Sequence, residues 1–354
     1  MDKKQLTDRI LPPVLLVVSS FGVAALLMLV IGFNPFSAYK ALLEGAFGSG
    51  FAVITTINKS IPICIAAFAV GLAAKAGVFN IGVEGQLVMG AFGSAVAGIY
   101  ITGLPAPLHI LVSMLAGAAA GGMWALLPSL LYVKKGTNLI VSAILCNNMA
   151  ALLLTYLVVG PFKGEQAIPS TAMIQATAEL PALIERPARL TIAAPLVLVL
   201  GIIYYFYMQR TVSGYELRAV GQNPVAARFV GIRNERYLLF SLVGGGMLAG
   251  IAGSIEVLGN YHQLFDGFSP GYGFDGIPIA LIANGNPFIM MLGSLLFGGL
   301  RAGSQNMQMM AGVKKEIVTV IQGLLIVFIA MQYLFRSGVH KCLFGRKGGK
   351  GYWI

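Results

Sequence analysis

Long apolar blocks with almost no charge fill this chain, and they fix the solvent in which it can fold. They run over about 13–33, 51–74, 79–102, 108–133, 137–160, 191–208, 237–258, 288–310 and 316–335, with a shorter segment at 274–283. At 1.5 Å of rise per residue, roughly 20 residues cross the ~30 Å of hydrocarbon in a bilayer. Of the 354 residues 57% are hydrophobic and only 10% charged, against about 25% charged in a soluble domain. A water-soluble fold of this composition would lack a polar surface. The expected class is therefore an all-α polytopic membrane protein with about ten transmembrane helices and broken or re-entrant segments. Its 45 glycines exceed the roughly 25 of average usage, as expected where membrane helices pack closely. The block at 13–33 is longer than a signal-peptide core and shows no small-residue cleavage site, so a retained spanning helix is expected.

Basic residues orient the array, because short cytoplasmic loops collect Lys and Arg. With both termini cytoplasmic, the inside holds Lys3, Lys4, Arg9, Lys75, Lys134, Lys135, Arg210, Arg218, Arg228, Arg233, Arg236, Arg336, Lys341, Arg346, Lys347 and Lys350. The outside then holds Lys40, Lys163, Arg186, Arg189, Lys314 and Lys315. Both termini inside requires an even helix number, makes about 209–236 a cytoplasmic loop and makes about 161–190 an external one. Lys59 and Arg301 fall within apolar blocks. Lys59 is open to snorkelling outward, and Arg301 to pairing with Glu256, Glu84 or a membrane-surface group.

The net charge of +11 is scattered over separate loops without an aromatic-laced patch, so lipid rather than nucleic acid is the expected partner. Cys64, Cys146 and Cys342 show no CxxC spacing, and His109, His262 and His340 no HExxH, so neither a redox nor a metal site is expected. A Walker A pattern is missing, since the tail Gly348-Gly349-Lys350-Gly351 lacks its spacing and final hydroxyl.

Two breaks interrupt the apolar blocks. Asn58, Lys59 and Ser60 before Ile61-Pro62 read as a capped helix start inside an apolar stretch. The segment from Asp275 to Asn284, followed by Asn284-Gly285-Asn286-Pro287, is too short to span and reads as a half-helix. Broken helices at membrane depth line cavities or lie buried in protein, so the pair points to a substrate path. In the loop at 209–236, Asn223 suits an N-cap, Pro224 a first helical turn and Gly231 a C-terminal stop. A helix of about two turns is unstable alone and needs a surface for Val225 and Phe229, either its own bundle or a cytoplasmic partner.

Three stretches resemble the permease subunits of ATP-binding-cassette importers in the branched-chain amino acid, ribose and nucleoside superfamily. They are Gly77-Val78-Phe79-Asn80-Ile81-Gly82-Val83-Glu84-Gly85-Gln86, Gly221-Gln222-Asn223-Pro224 with Ala226, Ala227 and Gly231, and Gly271-Tyr272-Gly273-Phe274-Asp275-Gly276-Ile277. Their order and separation match over nearly the whole chain, and the run from Asn80 to Gln86 is closest to the nucleoside-type branch. The resemblance implies one permease domain over 1–354 in the bacterial cytoplasmic membrane, a second homologous permease subunit, a cytoplasmic ATPase and an extracytoplasmic substrate-binding protein. It implies no cofactor in this chain, with ATP and Mg on the ATPase. It also implies coupling to the ATPase through the loop, here Glu216, Arg218, Gly221, Asn223, Pro224, Ala227, Arg228, Phe229 and Gly231.

For a cargo with a hydroxylated sugar and an aromatic base, amides, carboxylates and aromatic faces suit the path. Asn80, Glu84, Gln86, Asn147, Asn148, Asn260, Tyr261, Phe274 and Asp275 are the candidates on chemistry. Glu84 is open to substrate contact or helix-to-helix bonding, and Asp275 to substrate contact or a simple helix cap. A simple-sugar permease is the alternative cargo reading. An ion-coupled secondary transporter using Glu84, Glu256 and Asp275 is a different class. An intramembrane enzyme finds no nucleophile and base pair to support it.

Overall fold

In the computed structural model the described residues are 19–166, 168–313, 317, 319, 320, 323 and 324. The beginning of the block at 13–33, most of the block at 316–335, and Lys3, Lys4, Arg9, Lys314, Lys315, Arg336, His340, Lys341, Cys342 and the basic tail lie outside them.

The chain is mostly helical. Helix α1 covers Ser19–Val30. It is followed by α2 (Pro35–Phe47), α3 (Gly50–Lys75), α4 (Val83–Tyr100), α5 (Ala106–Lys135) and α6 (Leu139–Val159). After an irregular stretch with a small antiparallel hairpin of β1 (Ala182–Ile184) and β2 (Leu190–Thr191) come α7 (Ala193–Arg210), α8 (Val212–Gln222), α9 (Pro224–Phe229), α10 (Asn234–Ile255), α11 (Tyr272–Ala283) and α12 (Pro287–Ala311). Among the described residues six helices are long and apolar enough to cross a membrane: α3, α5, α6, α7, α10 with its extension to Tyr261, and α12. Shorter apolar helices, α1 and α11, accompany them.

Glycine sets the closest packing. Gly90 on α4, Gly117 and Gly121 on α5, and Gly246, Gly250 and Gly253 on α10 meet backbone to backbone; a Cβ on Gly121 would lie 2.9 Å from the Gly250 Cα. Removing side chains at these crossings lets dispersion and backbone contacts replace the hydrophobic drive that lipid does not provide. The outer faces are apolar and exposed, as Leu145, Met149 and Leu152 on α6, Ile202 and Ile203 on α7, and Leu292 on α12 illustrate.

Helix α3 is the buried axis, enclosed by α10, α11 and α12, with every residue from Ser60 to Ala73 buried. The expected break at Asn58–Pro62 does not occur, because α3 runs unbroken through Pro62. Proline removes its own N–H from the helix ladder, but enclosing neighbours and nearby hydroxyls make that tolerable at membrane depth. The helical partner of that missing N–H is the Asn58 carbonyl, and Ser60 donates its hydroxyl at 2.7 Å to the carbonyl before it, that of Ile57. The other expected break is present: α11 is a 12-residue half-helix, ended by Asn284 in the left-handed region at φ 46°. A further irregularity, a π-helical turn over Glu256–Tyr261, closes α10 and was not signalled by the hydropathy pattern.

Candidate functional site

Helices α4 and α11 begin next to each other inside the bundle. Gly273, in the first turn of α11, lies directly on the Glu84 backbone, where a Cβ would meet the Glu84 N at 2.6 Å. Glu84 accepts hydrogen bonds from the Gly273 N–H (2.7 Å) and the Ser269 hydroxyl (2.7 Å). A carboxylate at the positive end of a helix is favoured by the dipole, so Glu84 is an inter-helix cap that locks the first and third sequence motifs together. From Gly273 to the end of α11 is about 15 Å at 1.5 Å per residue, so this junction lies about that far along the helix from the turn at Asn284.

Asp275, two residues further along α11, is buried and ion-paired with Arg301 of α12. Arg301 also donates to the Pro270 carbonyl at 2.9 Å and stacks 5.3 Å from the Tyr272 ring centroid. Pairing with Asp275 replaces the expected partners Glu256, Glu84 and a membrane-surface group, because α12 packs on α11. Lys59 likewise does not snorkel outward. Its ammonium donates to the Tyr272 hydroxyl at 2.9 Å and lies 5.7 Å from the Tyr261 and Tyr272 ring centroids. Asn260 donates to the Glu256 Oε1 at 2.9 Å, while the Oε2 of the fully buried Glu256 has no hydrogen bond among the described residues. Glu256 and Tyr261, the two ends of the π-helical turn, both lie within reach of the Lys59 charge.

The other amides are internal fasteners. Asn80 and Gln86 hydrogen-bond each other at 3.0 and 3.2 Å, and the Gly82 N–H donates to the Asn80 Oδ1 at 3.1 Å. Asn147 accepts from the Gly85 N–H at 2.9 Å and donates to the Ile81 carbonyl at 3.0 Å, joining α6 to the irregular start of α4. Asn148 is exposed on another face of α6, since successive helical residues differ by about 100°, and does not join this cluster. Phe274 is 42% exposed, with its ring beside Gly271. Tyr272, Ser269, Lys59 and Arg301 join the site without standing among the residues expected for the path. The first lay inside a quoted motif, whereas a lone serine in a Gly/Pro loop carries no signal.

At the end of α11 the second motif meets the first. Gly221 of α8 packs on the backbone of Lys75, Ala76 and Gly77, and a Cβ on Gly77 would stand 3.0 Å from the Gly221 Cα. Only glycine at both positions permits this approach, and Gly77 also needs its positive φ of 83°. Asn223 caps α9 as expected, accepting from the Val225 (3.1 Å) and Ala226 (3.0 Å) N–H groups, and Gly231 follows with φ 87°. Ala227 is buried and Asn234 ties the Pro224 carbonyl at 2.7 Å, while Val225, Phe229 and Val230 stand 65%, 88% and 75% exposed. Glu216 accepts from the Tyr237 hydroxyl, Arg218 donates to the Gly214 carbonyl (3.3 Å) and the Gln209 side chain (3.4 Å), and Arg228 closes the last turn of α9. The helix α8 preceding this turn was not read from the sequence. Asn223→Ala is expected to cost about 1 kcal/mol of local stability, visible as faster amide exchange over 225–229 with α10 unchanged.

The opposite end is held by Arg189, which donates to the His262 Nε2 (2.8 Å), Glu179 (3.2 Å) and the Leu180 carbonyl (3.0 Å), while Asn58 donates to the Arg189 carbonyl at 2.7 Å. Burial holds the His262 imidazole below its ordinary pKa, Glu179 opposing and Arg189 reinforcing the shift. A neutral ring is what lets Nε2 accept from a guanidinium.

Residues 52–330 match the family described as branched-chain amino acid transport system / permease component. The guanosine ABC transporter permease protein NupP of Bacillus subtilis is 32% identical over 334 residues, covering 93% of this chain and 95% of that protein. The glucose ABC transporter permease protein TsgB13 of Haloferax volcanii is 31% identical, covering 95% and 91%. The nucleoside ABC transporter permease protein NupB of Lactococcus lactis subsp. cremoris is 29% identical, covering 93% and 92%. No solved structure matches the chain.

Proposed function

Because the chain belongs to the family of permease components of branched-chain amino acid transport systems, we propose that it is the nucleoside-translocating permease subunit of an ATP-binding-cassette importer. The observation that carries this reading is the 32% identity to a guanosine permease over nearly the full length of both chains. In this reading the chain makes and breaks no bonds. A partner ATPase binds ATP and Mg and drives alternating access, a second homologous permease completes the membrane path, and a binding protein delivers cargo from outside. About ten helices cross a bacterial cytoplasmic membrane, with both termini and residues 209–236 on the cytoplasmic side and residues 161–190 outside.

The polar residues divide by what their side chains already bind. Asn80, Glu84, Gln86 and Asn147 are occupied by internal hydrogen bonds and act by holding the broken elements in register. Asn260 and Tyr261, with Glu256, Lys59 and Tyr272, combine an unfilled acceptor, a cation and aromatic faces, a set suited to sugar hydroxyls and a planar base. The motif convergence at Gly77 and Gly221 gives α9 a rigid link to α3, through which closure of the ATPase would reach the bundle.

The 31% identity to a glucose permease favours a simple sugar as the second reading. Uptake of labelled guanosine, adenosine, uridine, ribose and glucose by the reconstituted complex separates the two. Nucleoside uptake competed by other nucleosides is expected; transport of free sugar alone would refute the cargo assignment.

A further inference from the structure

A basic cavity of about 330 Å³ opens at the α9 end of the bundle, between α3, α7, α8 and the turn joining α11 to α12. Its polar lining is Lys75, Gln209, Arg218, Gln222, Asn284 and Asn286, with no acidic residue. Lys75 donates to the Asn284 Oδ1 at 2.9 Å, and Arg218 bonds a carbonyl and an amide oxygen, so both cations rest on neutral acceptors. Neither forms an ion pair among the described residues. Two like charges lining one small cavity are mutually unfavourable unless an anion joins them. The 25-residue helix α12 also starts there, adding its positive end.

We propose that this cavity binds a phosphate group, supplied by the headgroup of an anionic phospholipid. A phosphate bridging an ammonium and a guanidinium gains charge-assisted hydrogen bonds to both. The mouth favours lipid as its source. Tyr205, which lines the cavity, stands 6.1 Å from Phe288 and 6.0 Å from Phe206 between ring centroids. An exposed tyrosine such as Tyr205 is at home at the headgroup level of a bilayer. Ile202, Ile203 and Leu292, exposed on the same two helices, continue the surface toward the acyl region. Basic pockets between helices at this level suit anionic headgroups.

The test is native mass spectrometry of the full chain in neutral detergent after exposure to equal phosphatidylglycerol and phosphatidylcholine. The wild-type chain is expected to retain phosphatidylglycerol at least about tenfold better than Lys75→Gln/Arg218→Gln, the loss that two charge-assisted bonds imply. The charge-keeping pair Lys75→Arg/Arg218→Lys is expected to restore retention, which separates the site from misfolding. The exposed pair Lys134→Gln/Lys135→Gln, at the end of α5, is expected to retain lipid like wild type. Equal retention by Lys75→Gln/Arg218→Gln would overturn the site. Saturable binding of inorganic phosphate without lipid retention would support the phosphate site and overturn its lipid source. Release of the lipid on adding the ATPase would give the cavity to an acidic group of that partner and overturn the proposal.

Discussion

Arg301→Met is expected to destabilise the chain by about 3–5 kcal/mol, the cost of leaving a buried carboxylate without its counter-charge. Asp275 is 5% exposed at its side chain and Arg301 13%, so neither charge recovers solvation if its partner is removed. The same change releases the Pro270 carbonyl and the Tyr272 ring, loosening the start of α11. Against a total of about 5–15 kcal/mol for a domain, that loss is large. The double change Arg301→Met/Asp275→Asn removes both charges and is expected to recover most of the stability. Thermal melting in detergent, followed by the monodisperse fraction, checks this. Equal melting of the single and double variants would show that the pair is solvated and that α11 is held by packing alone.

Phe229→Asp is expected to lower ATP-driven uptake by at least about tenfold while leaving the melting temperature of the chain within about 2 °C of wild type. Phe229 is 88% exposed and Val225 65%, an apolar tip on a six-residue helix that is stable only because Asn223 caps it and Asn234 and Ala227 anchor it. If that tip fills a pocket of the ATPase, it is an aromatic anchor, and losing one costs about 2 kcal/mol or more of binding, roughly thirtyfold. Its exposure in this chain means the change removes no internal packing. The comparison of uptake with ATP hydrolysis in the assembled complex therefore isolates coupling, with hydrolysis expected to continue without matching transport. Uptake at the wild-type rate would move the coupling contact elsewhere on the loop.

Local punctuation was read well from the residues, and long-range partnership was not. Asn223, Pro224 and Gly231 bound α9 because caps and stops act within a few residues of chain. The half-helix before Asn284 followed from its length and the turn residues after it. Pro62 misled, since its local chemistry signals a boundary whereas burial of α3 on all sides keeps the helix continuous. Lys59 and Arg301 misled for a related reason. Whether a charged side chain snorkels or turns inward depends on which helix lies opposite, and Tyr272 and Asp275 come from α11, more than two hundred residues from Lys59. Helix α8 and the π-helical turn at Glu256–Tyr261 left little trace, the first because it is weakly apolar and the second because it continues the hydropathy of α10. Of the candidate path residues, Asn80, Glu84, Gln86 and Asn147 lie together, Asn260 and Tyr261 form a second group beside Glu256, and Asn148 stands apart.

Dependence on a separate ATPase is tested most directly by proteoliposomes holding the chain with its partner permease, ATPase and binding protein, loaded with labelled guanosine outside and ATP within or without. Accumulation that requires hydrolysable ATP, stops with a non-hydrolysable analogue and ignores collapsed ion gradients is the expected result. Accumulation by this chain alone, driven by a proton or sodium gradient, would contradict it.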